Sequence, residues 1–261
     1  MKPHSIASVN KLDIEEKRRI YTRFIPPTLL ERFKIAPSFH DDEGNDLLRL
    51  RCEAGTTDVE IDLRHKTGAE DPLLYTHLAD TVNGQIHVLL YVVNDPNSSR
   101  FDVDRMPDGA PTQFGIFRRN LEAEKAAMNA GLAPGQVRSG LRILKHSIAS
   151  FEVFVSELGH DLFFSEPLHY HNAVVFERYG FAYLQGRWLM EQINQGFMPG
   201  EEYYLKLDRS TPFRVPANAS CIRGRSWAIH DGILGQAYDK VTMYKSIGHH
   251  AGINTYPNGE W

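Results

Sequence analysis

Cysteine is nearly absent: the 261 residues hold two, Cys52 and Cys221. Two thiols cannot build a disulfide framework, and neither stands in a Cys-x-x-Cys pair. That pattern points away from zinc or redox roles and toward a reduced, intracellular protein. Long apolar runs are absent too. No stretch reaches the roughly 18 apolar residues of a membrane span. Charged side chains crowd the region from Asp13 to Arg19, unlike a signal peptide. Nor is there an excess of basic charge. With 29 Lys and Arg against 33 Asp and Glu, the net charge is −4, which offers no general attraction for nucleic acid or an anionic membrane. Internal repeats and low-complexity tracts are missing as well. What remains is a globular composition, 42% hydrophobic and 24% charged, long enough for one large domain or two small ones. The expectation is a cytoplasmic protein with no nucleic-acid or membrane partner.

Residues 1–35 read as short helices broken at Pro26-Pro27, a packing arm with a charged outer face, and 36–46 as an acidic loop. A strand-rich block follows. Leu48, Leu50 and Cys52 alternate with charged residues, as do Val59, Ile61 and Leu63, so each run suits a strand with one buried face. The runs 73–79 and 86–93 flank Asn83-Gly84, a hairpin signal. The second of them is the most strand-like in the chain and belongs in the centre of a sheet. Phe101 to Asp104 reads as a further short strand. Ile116 to Ala130 reads as a helix with Phe117, Leu121 and Met128 inward, stopped by Gly131 and Pro134. Asp102 and Asp104 are candidate bases.

The stretch 134–181 organises the rest. Leu141, Leu144, Ile148, Phe151, Val155 and Leu158 lie on one face of a helix, and Gly159 suits its C-terminal cap. Leu162 to Phe164 is an apolar run suited to a strand covered on both faces. A second helix fits His169 to Tyr179, with Gly180 as its end and Phe181 to Leu184 as the next strand. Ahead of the first helix sits the polar loop from Gly135 to Gly140. The first N–H groups of a helix lack partners and carry partial positive charge, so a Gly- and Arg-bearing loop there can cradle a phosphate. A plain polar turn is the alternative. Beyond Leu184, Trp188 to Gln195 reads as a helix. Tyr203, Leu205 and Leu207 read as a strand. Short strands fit around Ile222 and 227–229, and a late strand fits Val241, Met243 and Lys245. Element order predicts an α/β (α+β) fold: a mixed, mostly antiparallel twisted sheet with helices on both faces.

Residues 132–184 resemble the GNAT N-acetyltransferase family. In that family a loop patterned Arg/Gln-x-x-Gly-x-Gly/Ala precedes a long helix; Pro134, Gln136, Arg138 and Gly140 stand in the corresponding loop here. The family's closing Tyr-Glu-x-x-Gly-Phe corresponds to the run from Phe176 to Phe181. The resemblance implies a single acyl-CoA N-acyltransferase-like domain, with an arm at 1–46, a core at 47–184 and a C-terminal extension at 185–261. It implies acyl transfer from acetyl-CoA, the co-substrate, to an amine on a small molecule or peptide. On this reading Gln136, Val137, Arg138, Ser139, Gly140 and Leu141 hold the CoA pyrophosphate. The family's frequent Asn falls on His169, which joins the CoA-binding set. Its frequent Tyr falls on Phe176, leaving Tyr179 and Tyr170 as the nearest phenols able to protonate the leaving thiolate. Glu166, just after the Leu162–Phe164 strand, is placed to take a proton from the amine. Arg142 stands where the family's loop has its second small residue, a Gly or Ala that lets the backbone approach the pyrophosphate.

Two other classes stay open. His169-Tyr170-His171 has a metal-ligand spacing, and with Glu177 it suggests a metal enzyme, although no metal is assigned. A catalytically inactive scaffold of the same fold is the other. The region after Leu184 could wall the acceptor pocket, form a homodimer interface or cover the sheet.

Overall fold

The computed structural model describes residues 2–112 and 118–261. In chain order the helices are α1 Ile6–Val9, α2 Ile14–Tyr21, α3 Pro27–Phe33, α4 Leu121–Asn129, α5 Leu144–Glu157, α6 Tyr170–Arg178, α7 Arg187–Gly196, α8 Glu202–Leu205 and α9 Ile222–His230. The strands are β1 Leu48–Arg51, β2 Asp58–Leu63, β3 Leu74–Asp80, β4 Ile86–Val93, β5 Leu162–Ser165, β6 Ala182–Gln185 and β7 Thr242–Ser246. The chain is thus mixed α/β, with mostly antiparallel strands. No helix among the described residues is long and apolar enough to cross a membrane. Contacts divide the chain into two compact units of interleaved segments. The first comprises Met1–Asn97, Gly140–Glu166 and Tyr244–His249; the second comprises Ser98–Ser139, Pro167–Met243 and His250–Trp261.

The first unit is built on an antiparallel meander in which β1, β2, β3 and β4 pair in succession. Its residues explain it. In β2, Val59, Ile61 and Leu63 point inward while Asp58, Glu60 and Asp62 do not, as a period of two requires. The β3–β4 hairpin turns at Asn83-Gly84, where Gly84 takes φ +75°, a conformation without penalty only for glycine. Strand β5 then joins β4 in parallel, reached through α5, as a parallel connection needs a crossover. Helix α5 buries Phe151, Phe154 and Val155. The Phe151 ring lies 5.4 Å from Phe24 and 5.0 Å from Phe163 of β5. Leu144 and Ile148, expected on the core face, are only half-buried; the helix begins at Leu144 rather than Leu141, and Phe154 takes the central place. Strand β5 alternates rather than being covered on both faces: Phe163 and Ser165 are buried, Leu162 and Phe164 half-buried. Lys245 of β7, itself buried, reaches Glu152 of α5 at 2.8 Å.

The second unit has its own core, made of Val103, Ala127, Leu132, Phe213 and Trp227. The indole of Trp227 stacks on Phe213 at 5.2 Å and donates to the Leu132 carbonyl at 2.8 Å. Here the sequence expectations need correction. Residues 101–104 form no strand, 103–104 being a turn, and Tyr203 to Leu205 lie in the short α8. Residues 222–230, expected to hold short strands, form one helix, α9, of which seven residues are buried. A helix buried nearly all round shows no amphipathic period and reads as an apolar strand. Gly224 is what lets it seat: a Cβ there would meet the Asn218 backbone at 2.6 Å. Helix α4 begins at Leu121, with Asn120 capping it by accepting from the Ala123 N–H; Ile116 and Phe117 of the expected helix lie outside the described residues.

Candidate functional site

In the first unit β4 and β5 pair over two positions only, His87 with Phe164 and Val88 with Ser165. Strand β4 runs on to Val93, whereas β5 stops at Ser165. Beyond Val88, β4 therefore has no strand partner on that side among the described residues. The same point carries a bulge. His77 of β3 pairs with Leu90 and Leu78 with Val88, which leaves Leu89 unmatched. A bulge bends its strand and re-aims the side chains that follow. Without it Leu90 would share the face of Thr76; with it Tyr91 takes that place. The buried Thr76 hydroxyl fixes the distortion by donating to the Leu90 carbonyl at 2.9 Å. Tyr91 has a buried hydroxyl with no well-formed hydrogen bond among the described residues, and burial pushes its pKa well above the ordinary phenol value, with the nearby Ser147 opposing it.

On the opposite face lies His87, in register with Ala79 of β3 and Phe164 of β5. Its Nε2 stands 3.6 Å from Glu166 Oε1, with the side chains 18% and 49% exposed. Glu166 is one of three carboxylates singled out from sequence, the other two, Asp102 and Asp104, being paired with Arg100; His87 is not singled out, because it sits inside an apolar strand and its partner arrives through a distant parallel pairing. Burial lowers the His87 pKa and Glu166 partly opposes that, so the imidazole is neutral at pH 7.

The other residues chosen from sequence are distributed as follows. Gly140 and Leu141 belong to the first unit with Glu166; Gln136 to Ser139, His169, Tyr170 and Tyr179 belong to the second. The loop before α5 uses much of its polarity internally. Gln136 accepts from the Ala133 N–H at 2.7 Å, Val137 packs on the second unit's core, and Arg138 donates to the Ser98 carbonyl at 2.5 Å. The Ser139 N–H donates to the Ser98 hydroxyl at 3.2 Å, and Leu141 is buried. Arg142 adopts φ 58°, and α5 starts beyond it with Ile143 at its N-cap and no side-chain cap. Its first N–H groups are thus available to a ligand.

In the second unit Tyr170 is buried, with a hydroxyl that has no well-formed hydrogen bond among the described residues and a pKa pushed by burial, against the opposing Arg225, to about 12. Tyr179 is the C-cap of α6. Phe176 stacks on Phe181 at 4.8 Å and serves packing. His169 and His171 do not converge on a common point: their rings stack at 5.6 Å. His171 Nδ1 lies 2.9 Å from the Ser226 hydroxyl. Glu177 instead accepts from the Tyr183 and Thr255 hydroxyls and the Thr255 N–H. His169 also meets His230 edge-on at 5.7 Å, and His230 Nε2 lies 3.2 Å from Glu124. Burial, helped by His230, drops His169 to about pKa 4; burial likewise holds His171 far below the usual imidazole value. Burial alone would raise Glu124, but hydrogen bonds from His230 and Arg119 outweigh it and hold the carboxyl below its ordinary value. Among the described residues no group of three or more His, Cys, Asp or Glu is placed to hold a metal ion.

Compared with protein-family models, with curated proteins and with solved structures, the chain matches none.

Proposed function

We propose that the protein transfers an acyl group, acetyl in the simplest case, from acyl-CoA to an amine. The observation that carries this reading is the divergence of β4 from β5 after two paired residues, with the Leu89 bulge at the point of parting. An unpaired strip of strand offers backbone donors and acceptors to any extended chain that lies along it. The pantetheine arm of CoA is such a chain, with two amide groups. A bulge at the head of the strip turns backbone toward the place where a thioester carbonyl would need a hydrogen-bond donor. The uncapped first turn of α5, at Leu144, suits the phosphate end of the same ligand. That position is shifted toward the helix from Gln136–Leu141. No covalent enzyme intermediate is needed, because holding amine and thioester together supplies much of the acceleration.

Calorimetric titration with acetyl-CoA tests this, followed by thiol release with tyramine, spermidine and L-lysine as acceptors. Saturable binding that weakens with added salt is expected, since phosphates carry part of the affinity. Absence of acetyl-CoA binding by the intact chain removes the reading.

A further inference from the structure

We propose that His87 and Glu166 form a catalytic dyad, in which His87 Nδ1 takes the proton from the acceptor amine and Glu166 orients the imidazole through Nε2. This rests on the acyltransferase reading and goes beyond it by assigning the base. Three observations carry it. The first is position. His87 lies on β4 two residues before the unmatched Leu89 and in register with Phe164 of β5, so it stands where the two strands part. The second is the asymmetry of the ring. Nε2 is closed off from solvent and faces the Glu166 carboxylate at 3.6 Å without a hydrogen bond. Nδ1 makes no hydrogen bond among the described residues and is not among the buried unpartnered atoms. The negative charge 3.6 Å from Nε2 favours the proton on that nitrogen and leaves Nδ1 as the acceptor. The third is access: the pair is partly exposed, so an amine can reach it.

The surroundings leave this assignment uncontested. Ala79 of β3 and Asp58 of β2 continue the same register row. Asp58 is engaged by His77 at 3.3 Å. The Phe164 ring lies edge-on to His87 at 6.4 Å and meets the Tyr244 ring at 6.4 Å. Glu166 is thus the one carboxylate within 4 Å of the His87 ring nitrogens among the described residues.

The chemistry balances as follows. The neutral amine attacks the thioester carbonyl carbon, the C–N bond forms and the π electrons move to oxygen. Nδ1 takes one N–H proton. The oxyanion re-forms the carbonyl, the C–S bond breaks, and the departing CoA sulfur receives the proton held by the imidazole. The products are an amide and free CoA, and His87 is restored.

The test uses the full chain and two isosteric variants, His87→Gln and Glu166→Gln, with folding checked by circular dichroism. Acetyl-CoA affinity by calorimetry should stay within about twofold in both. With whichever of tyramine, spermidine or L-lysine the parent accepts, His87→Gln should lose at least about 100-fold in kcat, the scale of general-base catalysis. Glu166→Gln should lose about tenfold and should move the acid limb of kcat/KM to lower pH, because the carboxylate holds the His87 pKa up. The His87 ring-proton NMR titration, assigned by its loss in His87→Gln, should move to lower pH in Glu166→Gln whether or not an acceptor is found. Full activity in His87→Gln, or an unmoved His87 titration in Glu166→Gln, overturns the dyad while leaving acetyl-CoA binding intact. A parent that binds no acetyl-CoA overturns the acyltransferase reading, and the dyad with it.

Discussion

The two units use histidine in opposite ways. In the first, His87 has one nitrogen turned to a carboxylate and the other left open, in a side chain that water still reaches. In the second, His169 and His171 are stacked on each other, and His171 is bound to the Ser226 hydroxyl deep in the unit. Burial lowers all three imidazoles, so the direction of the shift does not distinguish them. Access and ring bonding do separate His87 from His171, which is buried and bound to Ser226. A neutral histidine with a free acceptor can take a proton from something else. A neutral histidine buried as His171 is stores its proton affinity as a liability of the fold.

The contrast can be broken most severely through the cores. Phe154→Ala should cost the first unit about 3–5 kcal/mol, the range for a fully buried aromatic, whereas Leu144→Ala, at a half-buried position, should cost well under half of that. Urea midpoints of the two variants decide it, and equal losses would show that α5 presents a different face.

Acid should act chiefly on the second unit. His169 is neutral in the fold and titrates near 4, whereas the unfolded chain takes up its proton near 6.5. Stability from this group is complete above pH 6.5, falls as pH drops from there to about 4, and then levels off. At about 1.4 kcal/mol per pH unit the total is roughly 3 kcal/mol, and His171 adds to it in the same direction. Urea midpoints at pH 7, 5.5 and 4.5 should therefore fall more steeply in the parent than in His169→Gln. Parallel lines for the two proteins would refute this account.

Smaller effects sharpen the comparison. Asp13→Ala removes the side-chain acceptor of the Glu16 N–H at the start of α2 and should cost about 1 kcal/mol in thermal unfolding. Arg187→Ala breaks an exposed pair with Glu191 on α7 and should change stability by less than about 0.5 kcal/mol.

The parts legible in the sequence are those whose cause is local. Val59, Ile61 and Leu63 announce β2 by alternation, and Asn83-Gly84 announces the hairpin by the conformation it demands. The late strand at Val241 to Lys245 was readable for the same reason. Helix α9 was not, because burial of Trp227, Ala228 and Ile229 together with their neighbours erases the polar stripe that marks a helix. The candidate site was half legible. Glu166 stands out as a carboxylate ending a strand, but His87 looks like one polar residue in an apolar run. Its meaning depends on a parallel pairing and on a bulge set by Thr76, neither of which leaves a mark in the residues nearby.

The ion pair between the buried Lys245 and the half-buried Glu152 ties the completion of the first unit to the order of synthesis. Glu152 lies in a segment already made when residue 166 emerges, yet its cation belongs to Tyr244–His249. Between the two, the chain must produce most of the second unit, at about 5–20 residues per second. For those seconds the sheet lacks its last piece, and a carboxylate destined for a partner remains hydrated. Neither unit can finish before the other has been largely translated, so nascent chains halted after residue 166 should remain protease-sensitive at β4 and β5, and chains extended past residue 249 should not. Long-range closure of this kind slows folding and makes the final step of assembly a late, all-or-none event rather than a gradual accretion.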